Sequence, residues 1–189
     1  MRARDDVISL LFLLAVVAPR ATASAQTQQQ IDLCAGKNGV APDLQISSCT
    51  AMIGASKETT NNLAIVYSNR GRAFGRKGQY DRAIEDLDRA IKLNPNLSWA
   101  FLIRGNFYAR KMQYDQAIQD YDQTIKLNPD YALAFSNRGG VYAFKQQYDR
   151  AIEDLDQAIK LDPNIARAFS FRGNAYASKK QYDRAIQDY

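Results

Sequence analysis

Four glycines, Gly71, Gly105, Gly139 and Gly173, follow one another at intervals of 34 residues. Tyr80, Tyr114, Tyr148 and Tyr182 keep the same interval, as do Ala83, Ala117, Ala151 and Ala185. Pro95, Pro129 and Pro163 close the first three units, and the frame runs without a gap from residues 64, 98, 132 and 166. The first and third units agree at 22 of 34 positions. A period of this length constrains the fold more than any other feature. Each unit is one supersecondary element that cannot bury its apolar face alone, so the units must stack side by side.

Within a unit the pattern is helical twice. An aromatic stands at position 4 (Tyr67, Phe101, Phe135, Phe169) and at position 11 (Phe74, Tyr108, Tyr142, Tyr176). A spacing of seven puts both rings on one helix face. The glycine between them, at position 8, lets a partner helix come close. The second half, YDRAIEDLDRAIKL in the first unit, lines up Ala83, Leu87, Ala90 and Ile91 as one stripe. Asn94-Pro95 ends it, because a residue before proline is pushed out of the helical region. Asp88 with Lys92, Asp122 with Lys126 and Asp156 with Lys160 are four apart in the favourable order, so each is expected to pair along its own helix.

Aromatics at 4 and 11, Gly at 8, Tyr at 17, Ala at 20 and 27 and Pro at 32 resemble the tetratricopeptide (TPR) repeat. The resemblance implies an all-α solenoid of antiparallel helix hairpins wound into a right-handed superhelix. The units are 64–97, 98–131, 132–165 and 166–189, the last incomplete. Three departures stand out. Thr124 replaces Ala at position 27, and Arg replaces the usual Leu at position 7. Met112, Gln146 and Lys180 stand where the family prefers the turn glycine that Gly78 keeps. A non-glycine residue there costs up to ~1 kcal/mol if the backbone turns left-handed.

The chain opens with Arg2 and Arg4, continues with the apolar run Val7–Ala18, and reaches Ala23-Ser24-Ala25. A basic start, a run too short to span a bilayer and a small-x-small ending describe a signal peptide, residues 1–25, cleaved after Ala25. The mature protein is then periplasmic or secreted, with no membrane span. Cys34 and Cys49, the two cysteines of the chain, suit an oxidising compartment and are expected to form a disulfide. Residues 26–63 read as an N-terminal capping segment. Ile46, Cys49 and Ile53 fall at positions 17, 20 and 24 of a preceding frame, so residues 45–56 are expected to be the second helix of a degenerate repeat pinned to the segment around Leu33. Tyr189 is position 24 of its unit, inside a helix. Either a longer chain continues there, the favoured reading, or the uncapped end packs on a partner, self-association included.

Two polar positions are invariant among the units. Arg70, Arg104, Arg138 and Arg172 occupy position 7; Asp86, Asp120, Asp154 and Asp188 occupy position 23. Each Arg is expected to pair with the Asp of its own unit, linking the two helices. Positions 1–17 of the four units hold 13 Lys/Arg and no acid, while the remaining positions hold 15 Asp/Glu and 7 Lys/Arg. In the family the first helix of each unit lines the concave groove, so the resemblance implies a basic trough backed by an acidic outer surface. Setting aside position 7, nine cations remain on the inner layer. Family geometry points Asn69, Arg72, Arg76, Trp99, Ile103, Asn106, Arg110, Asn137, Phe144, Arg167, Phe171 and Asn174 into that groove. Arginines donate to carboxylates, asparagines hold a peptide backbone, and Trp99 and Phe171 offer apolar anchors. The family's clamp for chaperone tails wants Lys or Arg at position 2 and Asn or Arg at position 6; Asn69 and Asn137 match, but Ile65, Ile103 and Leu133 do not.

The chain has no histidine, which removes Ser-His-Asp and Cys-His triads and imidazole-ligated zinc. Two cysteines cannot build a four-thiolate site, and the Asp-x-Asp pairs point to different helix faces without a calcium loop. No cofactor or metal is expected. The net charge of +5 is interleaved with acids rather than gathered in a run, which disfavours nucleic acid. These features and the resemblance together imply a non-catalytic cell-envelope scaffold that holds a protein or peptide with acidic or carboxylate groups. The alternative is the binding half of a longer envelope enzyme, acting on proteins or peptidoglycan, truncated after Tyr189.

Overall fold

A computed structural model describes residues 23–55 and 59–189. Its α-helices are α1 Ala23–Ala35, α2 Pro42–Gly54, α3 Thr60–Arg76, α4 Tyr80–Leu93, α5 Ser98–Arg110, α6 Tyr114–Leu127, α7 Ala132–Phe144, α8 Tyr148–Leu161, α9 Ala166–Ser178 and α10 Tyr182–Asp188, with a 3₁₀ turn at Lys37–Gly39. No strand occurs among the described residues. The apolar run Val7–Ala18 and most of the expected signal peptide 1–25 lie outside those residues. Helix α1 begins at Ala23 and runs through the expected cleavage point.

The turns inside the four hairpins are alike. Gly78 has φ 73°, and Met112, Gln146 and Lys180 have φ 58°, 59° and 59°. The left-handed residue lets the next amide reach back five residues. Gln79 N donates to Phe74 O at 3.0 Å, and Gln113, Gln147 and Gln181 do the same to Tyr108, Tyr142 and Tyr176 at 2.9 Å. This is the hydrogen bond that closes a helix C-terminus onto a left-handed residue. At the far end Asn94, with φ −139°, is already extended ahead of Pro95, and its side-chain oxygen accepts from Asn96 N at 3.0 Å.

Helices pack as α3–α4, α5–α6, α7–α8 and α9–α10 hairpins. First helices also touch one another, α1 to α3, α3 to α5, α5 to α7 and α7 to α9. No contact joins α4 to α6 or α6 to α8 among the described residues. Each second helix packs on the next unit's first helix, but only first helices touch their own counterparts in the next unit, which places them on the inner, concave side of the curve. The hairpins close on small residues. Ala83, Ala90, Ala117, Ala151 and Ala158 are fully buried, and a Cβ on Gly71 would stand 2.9 Å from the Ala83 carbonyl oxygen. Thr124 is equally buried in an alanine position. It is accommodated because its hydroxyl donates to Asp120 O at 2.9 Å and reaches Ser98 O at 3.3 Å, leaving no orphaned polar group.

The N-terminal segment joins the stack as a hairpin of its own. Cys34 on α1 and Cys49 on α2 are bonded, S–S 2.11 Å, and both are buried beside Val66 of α3. Helix α2 begins at Pro42, earlier than the repeat frame suggested, because proline at the first helical position starts it. Ile46 packs on the Phe74–Leu87 core, so the frame's apolar positions do face the first unit.

Candidate functional site

The invariant arginines are placed first by their carboxylates. Arg70 Nε and Nη2 donate to Asp86 at 2.7 and 2.8 Å. Arg104 meets Asp120 at 2.9 and 2.6 Å, Arg138 meets Asp154 at 2.8 and 2.7 Å, and Arg172 meets Asp188 at 2.9 and 2.6 Å. The third nitrogen of each guanidinium reaches into the preceding unit. Nη1 of Arg104, Arg138 and Arg172 donates to Asp88, Asp122 and Asp156 at 2.6, 2.5 and 2.6 Å. Arg70 finds Thr50 of α2 instead, at 3.1 Å. The expected helix pairs of Asp88, Asp122 and Asp156 with Lys92, Lys126 and Lys160 are thus replaced. A planar fork matches a carboxylate better than a flexible ammonium does, and it links two units where a lysine would stay within one. Burial pulls the Arg104 and Arg138 guanidinium groups down, but their carboxylate partners outweigh it and hold both above the ordinary arginine value. Burial pushes the Asp120 and Asp154 carboxyls up, against the pull of the same arginines.

A second ladder was not foreseen. Lys77 pairs with Asp43, Lys111 with Asp81, Lys145 with Asp115 and Lys179 with Asp149, each lysine reaching back to the preceding helical hairpin. The nine inner cations expected after setting aside position 7 are therefore too many, since four of them are these paired lysines.

What remains opens onto a groove of about 880 Å³ across the first helices. Arg72 and Arg76 come from α3, Ile103, Asn106 and Arg110 from α5, Asn137 and Phe144 from α7, and Arg167 and Phe171 from α9. Asn174 lies in an adjoining depression of about 160 Å³ beside Phe144 and Phe171. Trp99 and Asn69 do not line the groove. Trp99 is half-buried one turn before Ile103, and Asn69 sits under the N-terminal hairpin, its carbonyl 3.5 Å from Gln45 Nε2.

A polar thread crosses the groove. Arg167 Nη1 donates to Asn137 Oδ1 at 3.0 Å, Asn137 Nδ2 to Asn106 Oδ1 at 2.8 Å, and Tyr121 Oη to the same Asn106 oxygen at 2.9 Å. Tyr121 is buried, and desolvation pushes its phenol well above the ordinary value, so it stays a donor. Sequence reasoning missed Tyr121, although a signal existed. Tyr occurs at position 24 only where Asn stands at position 9, and Tyr189 Oη likewise donates to Asn174 at 2.6 Å.

Beside the thread lies an aromatic wall. Phe144 is 65% exposed, stacked on Tyr114 with centroids 6.2 Å apart and set edge-on to Phe171 at 6.3 Å. Gly140 makes room, since a Cβ there would be 2.7 Å from Phe171. Tyr80, Phe107, Met112 and Tyr114 also line the groove and were not anticipated.

Two of the groove arginines are held by backbone. Arg72 Nη2 donates to Ala35 O at 3.0 Å, and Arg76 Nη1 to Val40 O at 3.0 Å and Gln45 Oε1 at 3.3 Å. Among the described residues none of Arg72, Arg76, Arg110 and Arg167 has a carboxylate partner. The groove therefore carries uncompensated positive charge, aromatic faces and amide groups together.

No curated protein matches the sequence. Among solved structures, a crystal structure of MamA shares 24% identity over 89% of this chain and 91% of its own, with a TM-score of 0.70. MamA from Desulfovibrio magneticus RS-1, residue 41 to its end, shares 21% over 86% and 90%, with a TM-score of 0.74. The first TPR of Spaghetti (RPAP3), bound to the HSP90 peptide SRMEEVD, shares 23% over 67% and 93%, with a TM-score of 0.57. These likenesses concern the fold. Family profiles described as tetratricopeptide repeat match residues 64–97, 132–165 and 87–119, and one described as TPR repeat matches 105–145, which together span more than half of the chain without a gap. With ten helices among the described residues, eight of them stacked as hairpins on that period, the chain belongs to the tetratricopeptide repeat family and is an all-α solenoid scaffold for protein–protein interaction.

Proposed function

We propose that the protein is a non-catalytic scaffold of the cell envelope that holds an extended polypeptide, bearing carboxylate groups, in its concave groove. One observation carries the reading. The arginines and lysines at positions 7 and 14 are all matched to acids or, for Arg70, to acid and hydroxyl, whereas the four groove arginines are matched to no acid among the described residues. A carboxylate entering the groove gains charge-assisted hydrogen bonds there without breaking an existing ion pair. Asn106 and Asn137 supply amides beside Arg167, and Phe144 and Phe171 an apolar face, as polypeptide binding needs. The TPR of RPAP3, which has the same fold, is bound to a peptide with three acidic residues, and this supports the same ligand class here. Export rests on residues 1–25 and on the disulfide, which persists in oxidising compartments.

Affinity capture from an envelope extract, with the protein and with a variant reversing charge at Arg72, Arg110 and Arg167, tests the groove. Polypeptides retained by the protein and lost by the variant are expected; capture indifferent to the reversal rejects the mechanism. N-terminal sequencing of the exported protein should begin at Gln26, and retention of Met1 would reject the export reading.

A further inference from the structure

We infer that Arg72 and Arg76, with the loop of the disulfide-closed hairpin, form a second anion subsite that takes another acidic residue of the same polypeptide. The inference rests on the reading above, in which Arg167 with Asn137 and Asn106 takes the first. Both arginines line the groove at its α3 end. Each is steered by one side of its fork. Arg72 spends Nη2 on Ala35 O and, more loosely, on Asn69 Oδ1, and Arg76 spends Nη1 on Val40 O and Gln45 Oε1. Their other guanidinium nitrogens make no hydrogen bond among the described residues, and a neutral carbonyl leaves the positive charge uncancelled.

The steering groups are themselves fixed. Gln45 is buried and donates to Cys34 O at 3.0 Å, and Cys34 is tied to Cys49. Gly36, with φ 71°, brings the loop against Gln45; a Cβ there would lie 2.7 Å from its side-chain nitrogen. The disulfide therefore sets the aim of two arginines on a different helix.

The two subsites sit on α3 and α9, three inner-helix spacings apart. At about 8–10 Å per spacing they are separated by roughly 25–30 Å. An extended chain covers about 3.3 Å per residue, so the two acidic positions of the ligand lie about eight residues apart. Curvature of the concave side makes this an upper bound.

The test uses fluorescein-labelled peptides with two Glu-Glu pairs joined by Gly/Ser spacers of about two, eight and fifteen residues, read by anisotropy at low salt. The intermediate spacer is expected to bind roughly tenfold tighter than the short one, the gain of a second charge-assisted contact. Arg72→Gln with Arg76→Gln should abolish that spacer advantage while weakening the short peptide by no more than about twofold, the statistical loss of one of two anion sites, and the Lys substitutions at both positions should retain most of the advantage. Cys34→Ser with Cys49→Ser should also abolish it, with short-peptide binding intact. A loss equal for every spacer marks general damage to the fold and overturns the subsite. Binding that depends on Arg167 but is blind to spacer, to Arg72 and Arg76 and to the cysteines overturns the subsite and leaves the groove reading standing. Binding by no peptide overturns both.

Discussion

Three of the four hairpin turns carry a side chain on a backbone that favours glycine, and relieving them should stabilise the protein. Met112, Gln146 and Lys180 have φ between 58° and 59°, and all three are exposed, so glycine removes little buried surface. An L-residue in the left-handed region costs roughly 1–2 kcal/mol, from steric conflict between Cβ and the following carbonyl. Glycine returns about 0.4–1 kcal/mol of this through the greater freedom of the unfolded chain. Each change should therefore yield about 0.5–1 kcal/mol. The turns share no partners, so Met112→Gly, Gln146→Gly and Lys180→Gly together should approach about 2 kcal/mol. For a chain of this length that is a rise of roughly 4–8 °C in Tm. Gly78 supplies the opposite sign. A Cβ there meets nothing within 4 Å, so Gly78→Ala isolates the backbone effect and should cost about 1 kcal/mol. The assay is thermal and urea unfolding followed by circular dichroism at helical wavelengths. A triple variant that melts at or below the parent, or a neutral Gly78→Ala, would refute the reasoning.

Three further outcomes follow from the site. Arg104→Met strands Asp120 in a buried position and should cost about 3 kcal/mol in urea unfolding; exchanging Arg104 and Asp120 for each other should recover part of it, and a swap no more stable than either single change would sink the pairing. Tyr121→Phe removes the hydroxyl that holds Asn106 and should cost about 1 kcal/mol together with a several-fold loss of acidic-peptide affinity, measurable by urea unfolding and anisotropy. Cys34→Ser with Cys49→Ser opens the N-terminal loop and should lower stability by about 2–4 kcal/mol, and the intact mass of the parent should rise by two hydrogens on reduction.

Much of the architecture was legible in the residues. Proline after position 31, glycine at position 8 and alanine at positions 20 and 27 act locally or at one close contact, so a single sequence reveals the hairpins. Gly78 even disclosed the left-handed turn that Met112, Gln146 and Lys180 share. The electrostatics were harder. Asp88 has an eligible lysine one turn away on its own helix, and sequence spacing favours that pair. The carboxylate goes instead to Arg104 of the next unit, which is 16 residues away in sequence and near in space only after the hairpins stack. The same is true of Lys111 and Asp81, 30 residues apart.

The groove divides along the same line. From its period and helix signals alone, the chain specified a stack of helical hairpins, and its resemblance to the TPR family implied that their first helices face inward. Which inner cations stay uncompensated was decided by the stacked structure, because pairing between units depends on how far each side chain reaches across an interface that has no counterpart in the linear order. Trp99 left the groove and Tyr121 entered it for that reason. The loop at Ala35–Val40 came to hold two groove arginines in the same way, its carbonyls reaching Arg72 and Arg76 because the disulfide-closed N-terminal hairpin packs on α3.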